Sequence, residues 1–289
     1  SDPVLDAIKR GHGVAETRKA IDLARRAGFK IHAHWMPNLL GSNPEADCAD
    51  YERLFDDPDF RPDELKIYPC SLIETAELMN SYNDGSWRPY EHDELLGVLT
   101  HALSKTPRYC RLTRVIRDIS SDDIVVGNKL TNFRELAERA LADQGGHSEE
   151  IRAREIRGSK FDPAQLVVRA TPYESGSGSE VFLELTTPED RIVGFLRLSL
   201  PKAKAFCDEL TDCAIIREVH IYGGALDLGT RANENAQHRG FGTRLVEEAC
   251  GHAREAGYET LAVISAIGTR GYYRKLGFGD GALYQHKAL

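Results

Sequence analysis

Residues 217–278 read REVHIYG, a polar interval, then AQHRGFGTRLVEEACGHAREAGYETLAVISAIGTRGYYRKLGF, and this stretch decides the fold. Its centre is Gln237-His238-Arg239-Gly240-Phe241-Gly242-Thr243. Before it stands a β-branched run, Ala214-Ile215-Ile216-Arg217-Glu218-Val219-His220-Ile221-Tyr222, and after it an amphipathic helix. Two glycines two apart at the opening of a helix let successive backbone N–H groups converge on one point. Unpaired donors and the positive end of the helix dipole then favour an anion such as phosphate. An ordinary tight turn uses glycines too, but the flanks weigh against it. The helix puts Leu245, Val246, Ala249 and Ala253 inward and Glu247, Glu248, Arg254 and Glu255 outward, with Gly257 placed to cap it. A second strand, Thr260-Leu261-Ala262-Val263-Ile264, follows, and then Gly268, Tyr272, Tyr273 and Gly277-Phe278.

Strand, Q-x-x-G-x-G, helix, strand and a Tyr-bearing short helix ending in Gly-Phe resemble the acetyl-CoA half of a GNAT-type acetyltransferase. In such proteins the two strands splay and pantetheine lies in the opening. The pyrophosphate sits on the glycine loop, and a tyrosine faces the thioester sulfur. The resemblance implies acetyl-CoA contacts from Gln237, Gly240, Phe241, Gly242 and Thr243 and from the strand residues Glu218, Val219, His220 and Ile221. It makes Tyr272 and Tyr273 the catalytic candidates, able to position the thioester or to protonate the leaving thiolate. Adjacent tyrosines on a short helix cannot share one face, so one is expected at the site and one in the core. Glu218 and His220 alternate to one side of their strand, Val219 and Ile221 to the other, and the strand edge could pair with pantetheine amides. His220 reads equally as a general base and as a structural residue.

At 289 residues the chain has room for two domains, each with its own core. The net charge of −8 means that any polyanion site must be a local patch. No apolar run reaches membrane-spanning length and no signal-peptide pattern is present, so the expected location is cytoplasmic. Six scattered cysteines without a C-x-x-C pair point to free thiols in a reducing compartment, with neither a disulfide framework nor a zinc knuckle. The opening Ser1-Asp2-Pro3, without Met and directly on a helical pattern, reads as the start of a fragment.

Residues 4–118 alternate helical patterns (14–27, 44–55, 74–82, 92–104) with strands (30–36, 65–69, 109–115). That order predicts a parallel sheet with crossover helices, and three units are too few to close a barrel, which leaves an edge. Residues 119–142 read as a polar helix and 146–163 as a charged linker. Strands at 166–170, 181–185 and 192–198, with a flexible tip at 174–180 (ESGSGSE), complete a GNAT-like order that lacks the helices usual after its first strand. The division is therefore 1–145, a basic linker over 146–164, and 165–289. His32 and His34 share a strand face, but no third ligand converges on them and no metal is assigned.

Several front-half motifs resemble a radical-SAM barrel: Lys9-Arg10-Gly11-His12, Ala27-Gly28-Phe29-Lys30, His34-Trp35-Met36-Pro37, Gly41-Ser42, residues 54–63 (LFDDPDFRPD), Leu65-Lys66-Ile67-Tyr68-Pro69 and Arg114-Val115-Ile116-Arg117-Asp118-Ile119. Together with Gly268-Thr269-Arg270 and Tyr272-Tyr273-Arg274-Lys275, they make nearly the whole chain resemble the Elongator catalytic-subunit family. The fold implied is α/β: the C-terminal part of a radical-SAM (β/α) barrel followed by a GNAT-type acetyltransferase domain. The function implied is acetyl-CoA- and S-adenosylmethionine-dependent carboxymethylation of the tRNA wobble uridine, with a [4Fe–4S] cluster generating the radical. The implied partners are tRNA and either Elongator-like subunits or a second copy of the chain. An unactivated methyl group needs radical chemistry, which accounts for two cofactors in one protein.

Two departures from the family limit this chain. The cluster's cysteine triad is missing, and Ser148-Glu149-Glu150-Ile151-Arg152-Ala153-Arg154-Glu155-Ile156 holds no cysteine where the family often has a cluster of them. Alone, the chain is therefore expected to bind and hydrolyse acetyl-CoA. Lys105, Arg108, Arg111, Arg114 and Arg117, and then Arg152, Arg154, Arg157 and Lys160, form two basic runs flanking the domain junction. Solvated surface is the plain reading; on an acidic protein they are also candidates for tRNA phosphate contacts, with Arg111, Arg114, Arg117, Arg152, Arg154 and Arg157 foremost. Two other functions stay open: a GNAT enzyme acting on a protein lysine or other amine, and an acetyl-CoA-binding, tRNA-binding module without radical chemistry.

Overall fold

Capping residues and β-branched runs set the element boundaries in the computed structural model, which describes residues 1–116, 120, 122–222 and 233–289, apart from side chains 233–239. The chain divides into two units: Ser1–Ala20 with Ile31–Ala153, and Ile21–Lys30 with Arg154–Leu289.

The front of the chain runs α1 (Asp2–Ala7), α2 (Val14–Arg26), β1 (His32–Trp35), α3 (Pro44–Asp56), β2 (Glu64–Ile67), β3 (Leu72–Ile73), α4 (Leu78–Asn83), α5 (His92–Lys105), β4 (Arg111–Val115), β5 (Ile124–Val126), α6 (Phe133–Asp143) and α7 (Ile151–Arg154). As expected, β1, β2 and β4 form a parallel sheet in the order β1-β2-β4. Asn43 caps α3 by accepting the Ala46 N–H at 2.8 Å, with Pro44 in the first turn, and Glu91 and Glu94 form a capping box on α5. Leu65, Ile67, Leu99, Leu103 and Leu112 are fully buried in the core between sheet and helices. His32 and His34 do share a face of β1, with ring centroids 5.8 Å apart.

Two expectations need correcting. Residues 119–142 are not one helix: three consecutive β-branched residues, Ile124–Val126, pair antiparallel with β3, and the helix begins only at Phe133. The helix expected over 74–82 begins only at Leu78.

An exposed sheet edge was expected, and the edge at β4 is closed by side chains. Fully buried Glu150 accepts the Leu112 N–H at 2.9 Å, the Arg152 and Ala153 N–H groups at 2.8 and 2.9 Å, and Arg134 Nη2 at 2.5 Å. Arg134 Nη1 donates to the Leu112 carbonyl at 3.1 Å, and Arg152 Nη1 to that of Thr113 at 2.5 Å. A carboxylate and two guanidiniums thus do what a further strand would do for the backbone of β4.

The second unit contains β6 (Val167–Ser175), β7 (Gly178–Thr186), β8 (Ile192–Pro201), β9 (Cys213–Ile221), α8 (Asn233–Glu255), β10 (Thr260–Val263), α9 (Arg270–Lys275), β11 (Gly279–Asp280) and β12 (Gln285–Ala288). Its sheet runs β11-β12-β10-β9-β8-β7-β6, antiparallel except for the β9–β10 pair. One face is apolar: Val181, Leu183, Leu185, Leu196, Leu198, Ala214 and Ile216 pack with Leu245, Val246, Ala249 and Ala253 of α8, the helix positions expected to point inward. The other face carries buried charge and is covered by residues 21–30. There Arg217 donates to Glu180 at 2.8 Å and to the Phe29 carbonyl at 3.1 Å, and the Tyr284 hydroxyl donates to the Ala27 carbonyl at 2.9 Å. Gly28 permits this approach. Its φ is +80°, and a Cβ there would lie 3.1 Å from Ile215 Cγ2.

Candidate active site

The site begins with a fault in β9. Across the β8–β9 ladder Arg197 pairs with Glu218 and Leu198 with Ile216, so Arg217 is an extra residue. Such a bulge bends its strand. On the other side, β9 pairs with β10 only from Cys213↔Thr260 to Ile216↔Val263, and no β10 partner follows past the bulge. The two parallel strands therefore form a fork that opens at Arg217.

Tyr272, on α9, reaches into the α8 side of this fork. Its hydroxyl is shielded from solvent and lies beside Thr243, without a hydrogen bond of normal geometry. A Cβ on buried Gly242 of α8 would lie 2.6 Å from that hydroxyl and 3.9 Å from Ile221 Cγ1, so glycine makes the room that the tyrosine tip occupies. Burial pushes the Tyr272 pKa above the usual tyrosine value, with nearby Thr243 opposing. The group is a protonated donor at neutral pH. Tyr273 points elsewhere: it is 7% exposed, packs against Phe278 at 5.4 Å, and burial pushes its pKa up to about 12. The two tyrosines divide as the helix geometry required, one at the fork and one in the core.

The strand residues divide as well. Val219 and Ile221 pack toward α8. On the other face, burial pushes the Glu218 pKa up, but ion pairs with Arg197 (2.9 Å) and Lys30 (3.1 Å) outweigh it and hold the carboxyl below its usual value. With that side chain engaged, a ligand in the fork would meet Glu218 through its backbone. His220 stacks on Phe195 at 5.5 Å and meets Tyr222 edge-on at 4.4 Å, and the Tyr222 hydroxyl donates to Glu155 at 3.0 Å. Phe241 is a core residue, tilted against Phe161 at 6.2 Å, while Gly240 is exposed and Thr243 half-buried. The side chain of Gln237 lies outside the described residues.

One expectation about the glycines is corrected. α8 begins at Asn233, so Gly240 and Gly242 sit inside the helix rather than at its opening. The N–H groups of residues 240–243 then fall within the intrahelical hydrogen-bond ladder, and the convergent-donor argument does not apply to them in this conformation.

Residues 62–143 match the Radical_SAM C-terminal domain and residues 163–278 the Acetyltransferase (GNAT) family. The archaeal Methanocaldococcus infernus Elp3 with an N-terminal deletion superposes over all of this chain and 70% of its own, with a TM-score of 0.91 at 34% identity. This chain belongs to the tRNA uridine(34) acetyltransferase/Elongator complex protein 3 family. The tRNA uridine(34) acetyltransferase of Dehalococcoides mccartyi is 35% identical over 100% of this chain and 64% of its own length. The Elongator complex protein 3 of Homo sapiens is 36% identical over 100% of this chain and 54% of its own. The chain thus spans between about half and two thirds of the length of these curated relatives.

In the Elongator protein 3 family, the radical-SAM and GNAT domains imply S-adenosylmethionine, an iron–sulfur cluster and acetyl-CoA. The fork, with the shielded Tyr272 hydroxyl turned into it, fits a thioester. The described residues bring no three His, Cys, Asp or Glu side chains together, so nothing here fits the cluster and no step is derived through it. All six cysteines are free thiols, and no described helix is long and apolar enough to cross a membrane.

Of the basic residues, Arg111, Arg114 and Arg152 come together along β4, since Arg152 reaches Thr113. Arg157 is 55% exposed. Arg154 is a correction: it is 6% exposed and bound to Glu184 at 2.6 Å and Asp190 at 3.5 Å, so its charge serves the fold. Arg117 lies outside the described residues. Sequence reasoning missed Gly242 as the partner of Tyr272, and also the Lys30–Glu218 pair. The first depends on a contact between two helices and the second on residues 188 positions apart.

Proposed function

We propose that the chain is the acyl-transfer half of a tRNA uridine(34) acetyltransferase, holding acetyl-CoA in the β9–β10 fork and releasing its acyl group in response to tRNA. The observation that carries this is the buried Tyr272 hydroxyl, turned into the fork against Gly242 and without a hydrogen bond of normal geometry. A buried donor without an acceptor is disfavoured unless something absent supplies one. A thioester in the fork supplies two acceptors, its carbonyl oxygen and, as the C–S bond breaks, the thiolate. In hydrolysis, the water oxygen bonds to the acyl carbon and gives up its protons to solvent, the C–S bond breaks, and the departing sulfur takes the Tyr272 proton, which solvent returns, leaving acetate, the thiol and one released proton. Val219 and Ile221 wall the α8 side and exclude water from the sulfur. In the whole protein the radical chemistry would come from S-adenosylmethionine and the iron–sulfur cluster, acting on uridine 34 of tRNA. Arg111 and Arg114 on β4, with Arg152 of α7 beside them, would contact tRNA phosphates.

Tyr272→Phe and Tyr273→Phe test this assignment. Tyr272→Phe is expected to lower tRNA-stimulated acetate release about tenfold or more while acetyl-CoA affinity stays within a factor of about three. Tyr273→Phe, a core change, is expected to leave the rate near that of the wild type. Equal rates in the Tyr272→Phe variant and the wild type would remove Tyr272 from the chemistry.

A further inference from the structure

The turn that joins β10 to α9 is built from below and open above. Beneath it, Gln285 of β12 is 1% exposed and fully engaged. Its Oε1 accepts the Ser265 hydroxyl at 2.8 Å, and its Nε2 donates to the Arg270 carbonyl at 3.2 Å and to Asp280 at 2.8 Å. Asp280 in turn holds Arg274 at 2.6 Å. A single 3-10 turn, Ile267–Thr269, is closed by the Thr269 N–H and hydroxyl, both 2.9 Å from the Ala266 carbonyl. A buried amide thus fixes three backbone or side-chain groups at once, and the conformation of the turn is set before any ligand arrives.

The outer surface of this turn has no internal purpose. Ile267 is 89% exposed, the highest value among the exposed large apolar side chains described. Arg270 has no ion pair with the described residues, and its Nε is shielded from solvent with no hydrogen-bond partner. A Cβ at Gly268 or Gly271 would meet nothing within 4 Å, and neither glycine has a positive φ. Clearance alone says little, because Gly97 and Gly251 are equally open. What singles out Gly268 and Gly271 is that they flank an unpaired guanidinium and an exposed aliphatic side chain. From Ser265 to Asp280 the sequence has three cations, Arg270, Arg274 and Lys275, and one acid, Asp280, which pairs with Arg274 and also attracts Arg270, in a chain of net charge −8. Tyr272 follows Arg270 by two positions, about 200° around a helix, so with Tyr272 turned into the fork Arg270 stands on the outward side.

We propose that this turn is the nucleotide-contacting lip of the fork, with Arg270 binding an RNA phosphate and Ile267 packing on a neighbouring unstacked base. The inference rests on the tRNA reading above and deepens it by naming where RNA meets the acyl site. A phosphate would accept from the two terminal guanidinium nitrogens, the bidentate geometry at which Arg surpasses Lys. Single-stranded RNA presents unstacked bases to apolar side chains beside a charged backbone. The open glycine surfaces let that backbone come close.

The test measures binding of a tRNA transcript to the whole 289-residue chain by fluorescence anisotropy across a salt series, and acetyl-CoA binding by calorimetry. Arg270→Gln is expected to weaken tRNA binding roughly three- to tenfold and to reduce the salt slope by about one contact, with acetyl-CoA affinity unchanged. Ile267→Ser, at a site too exposed to unfold anything, is expected to weaken tRNA binding several-fold with the salt slope unchanged. If wild-type chain binds tRNA and both variants bind it equally well, the lip assignment is overturned and the tRNA reading stands. If Arg270→Gln instead loses acetyl-CoA affinity with tRNA binding intact, the guanidinium serves the cofactor's phosphates and the assignment is wrong. If wild-type chain binds no tRNA, both the reading and the lip fall together.

Discussion

Replacing Glu180 by alanine is expected to destabilise the second unit by about 3–5 kcal/mol. This carboxylate is wholly buried on the charged face of the sheet. Arg217 donates to its Oε2 from two nitrogens at 2.8 and 2.9 Å, Ser199 to its Oε1 at 2.8 Å, and Arg25, itself 1% exposed, lies 3.8 Å away. Removing it leaves two buried guanidiniums without their shared counter-ion, and breaking a buried pair from one side is far worse than never having built it. The neighbouring Ser199→Ala change removes one neutral donor and is expected to cost about 1 kcal/mol. Both tryptophans, Trp35 and Trp87, lie in the first unit, so their fluorescence follows that unit during urea unfolding while circular dichroism also reports the large sheet. A shift below 1 kcal/mol in the sheet transition of Glu180→Ala would show that the arginines find other acceptors. The effect bears on function because Arg217 is the bulge residue at which the fork opens.

Gly242→Ala and Tyr272→Phe are expected to be strongly coupled. Alone, Gly242→Ala puts a Cβ 2.6 Å from the Tyr272 hydroxyl, and displacing a rigid ring from a packed fork is worth about 1–3 kcal/mol. In a Tyr272→Phe background the nearest contact would be the ring Cζ at 3.5 Å, an ordinary approach. The alanine should then be neutral or stabilising by up to about 1 kcal/mol, as alanine usually is over glycine inside a helix. Urea midpoints of the four proteins give the coupling directly. Additive effects would mean that Gly242 is not kept small by the tyrosine, and the account of the fork would lose its steric basis.

Most of this fork was legible in the sequence. The β-branched run at 214–222, the inward set Leu245, Val246, Ala249 and Ala253, and the strand at 260–264 all form the elements expected of them, although the bulge at Arg217 left no mark in the sequence. The division of labour between Tyr272 and Tyr273 followed from helix geometry alone, although which would face the fork did not. The start of α8 was misplaced because glycines were taken as a boundary. Asn233-Glu234-Asn235-Ala236-Gln237 holds no proline or glycine to stop a helix beginning earlier. The β3–β5 pair was missed because strands of two and three residues carry too few positions to show a period. Arg154 shows the limit of reading charge runs. Arg152 and Arg154 look equivalent in sequence, yet one reaches over a strand edge and the other is buried against Glu184. That difference is decided by a partner 30 residues away. The closure of β4 by Glu150, Arg134 and Arg152 was hidden in the same way, since side chains replacing a strand leave no pattern of their own.

On the proposed function, this chain holds acetyl-CoA and releases its acyl group when tRNA binds. The most direct test is acetate release from acetyl-CoA by the purified chain, with and without tRNA, alongside a lysine peptide as a competing acceptor. Slow release by the chain alone, a marked rise with tRNA and no acetyl transfer to the peptide are expected. A rate indifferent to tRNA, or transfer to the lysine, would contradict it.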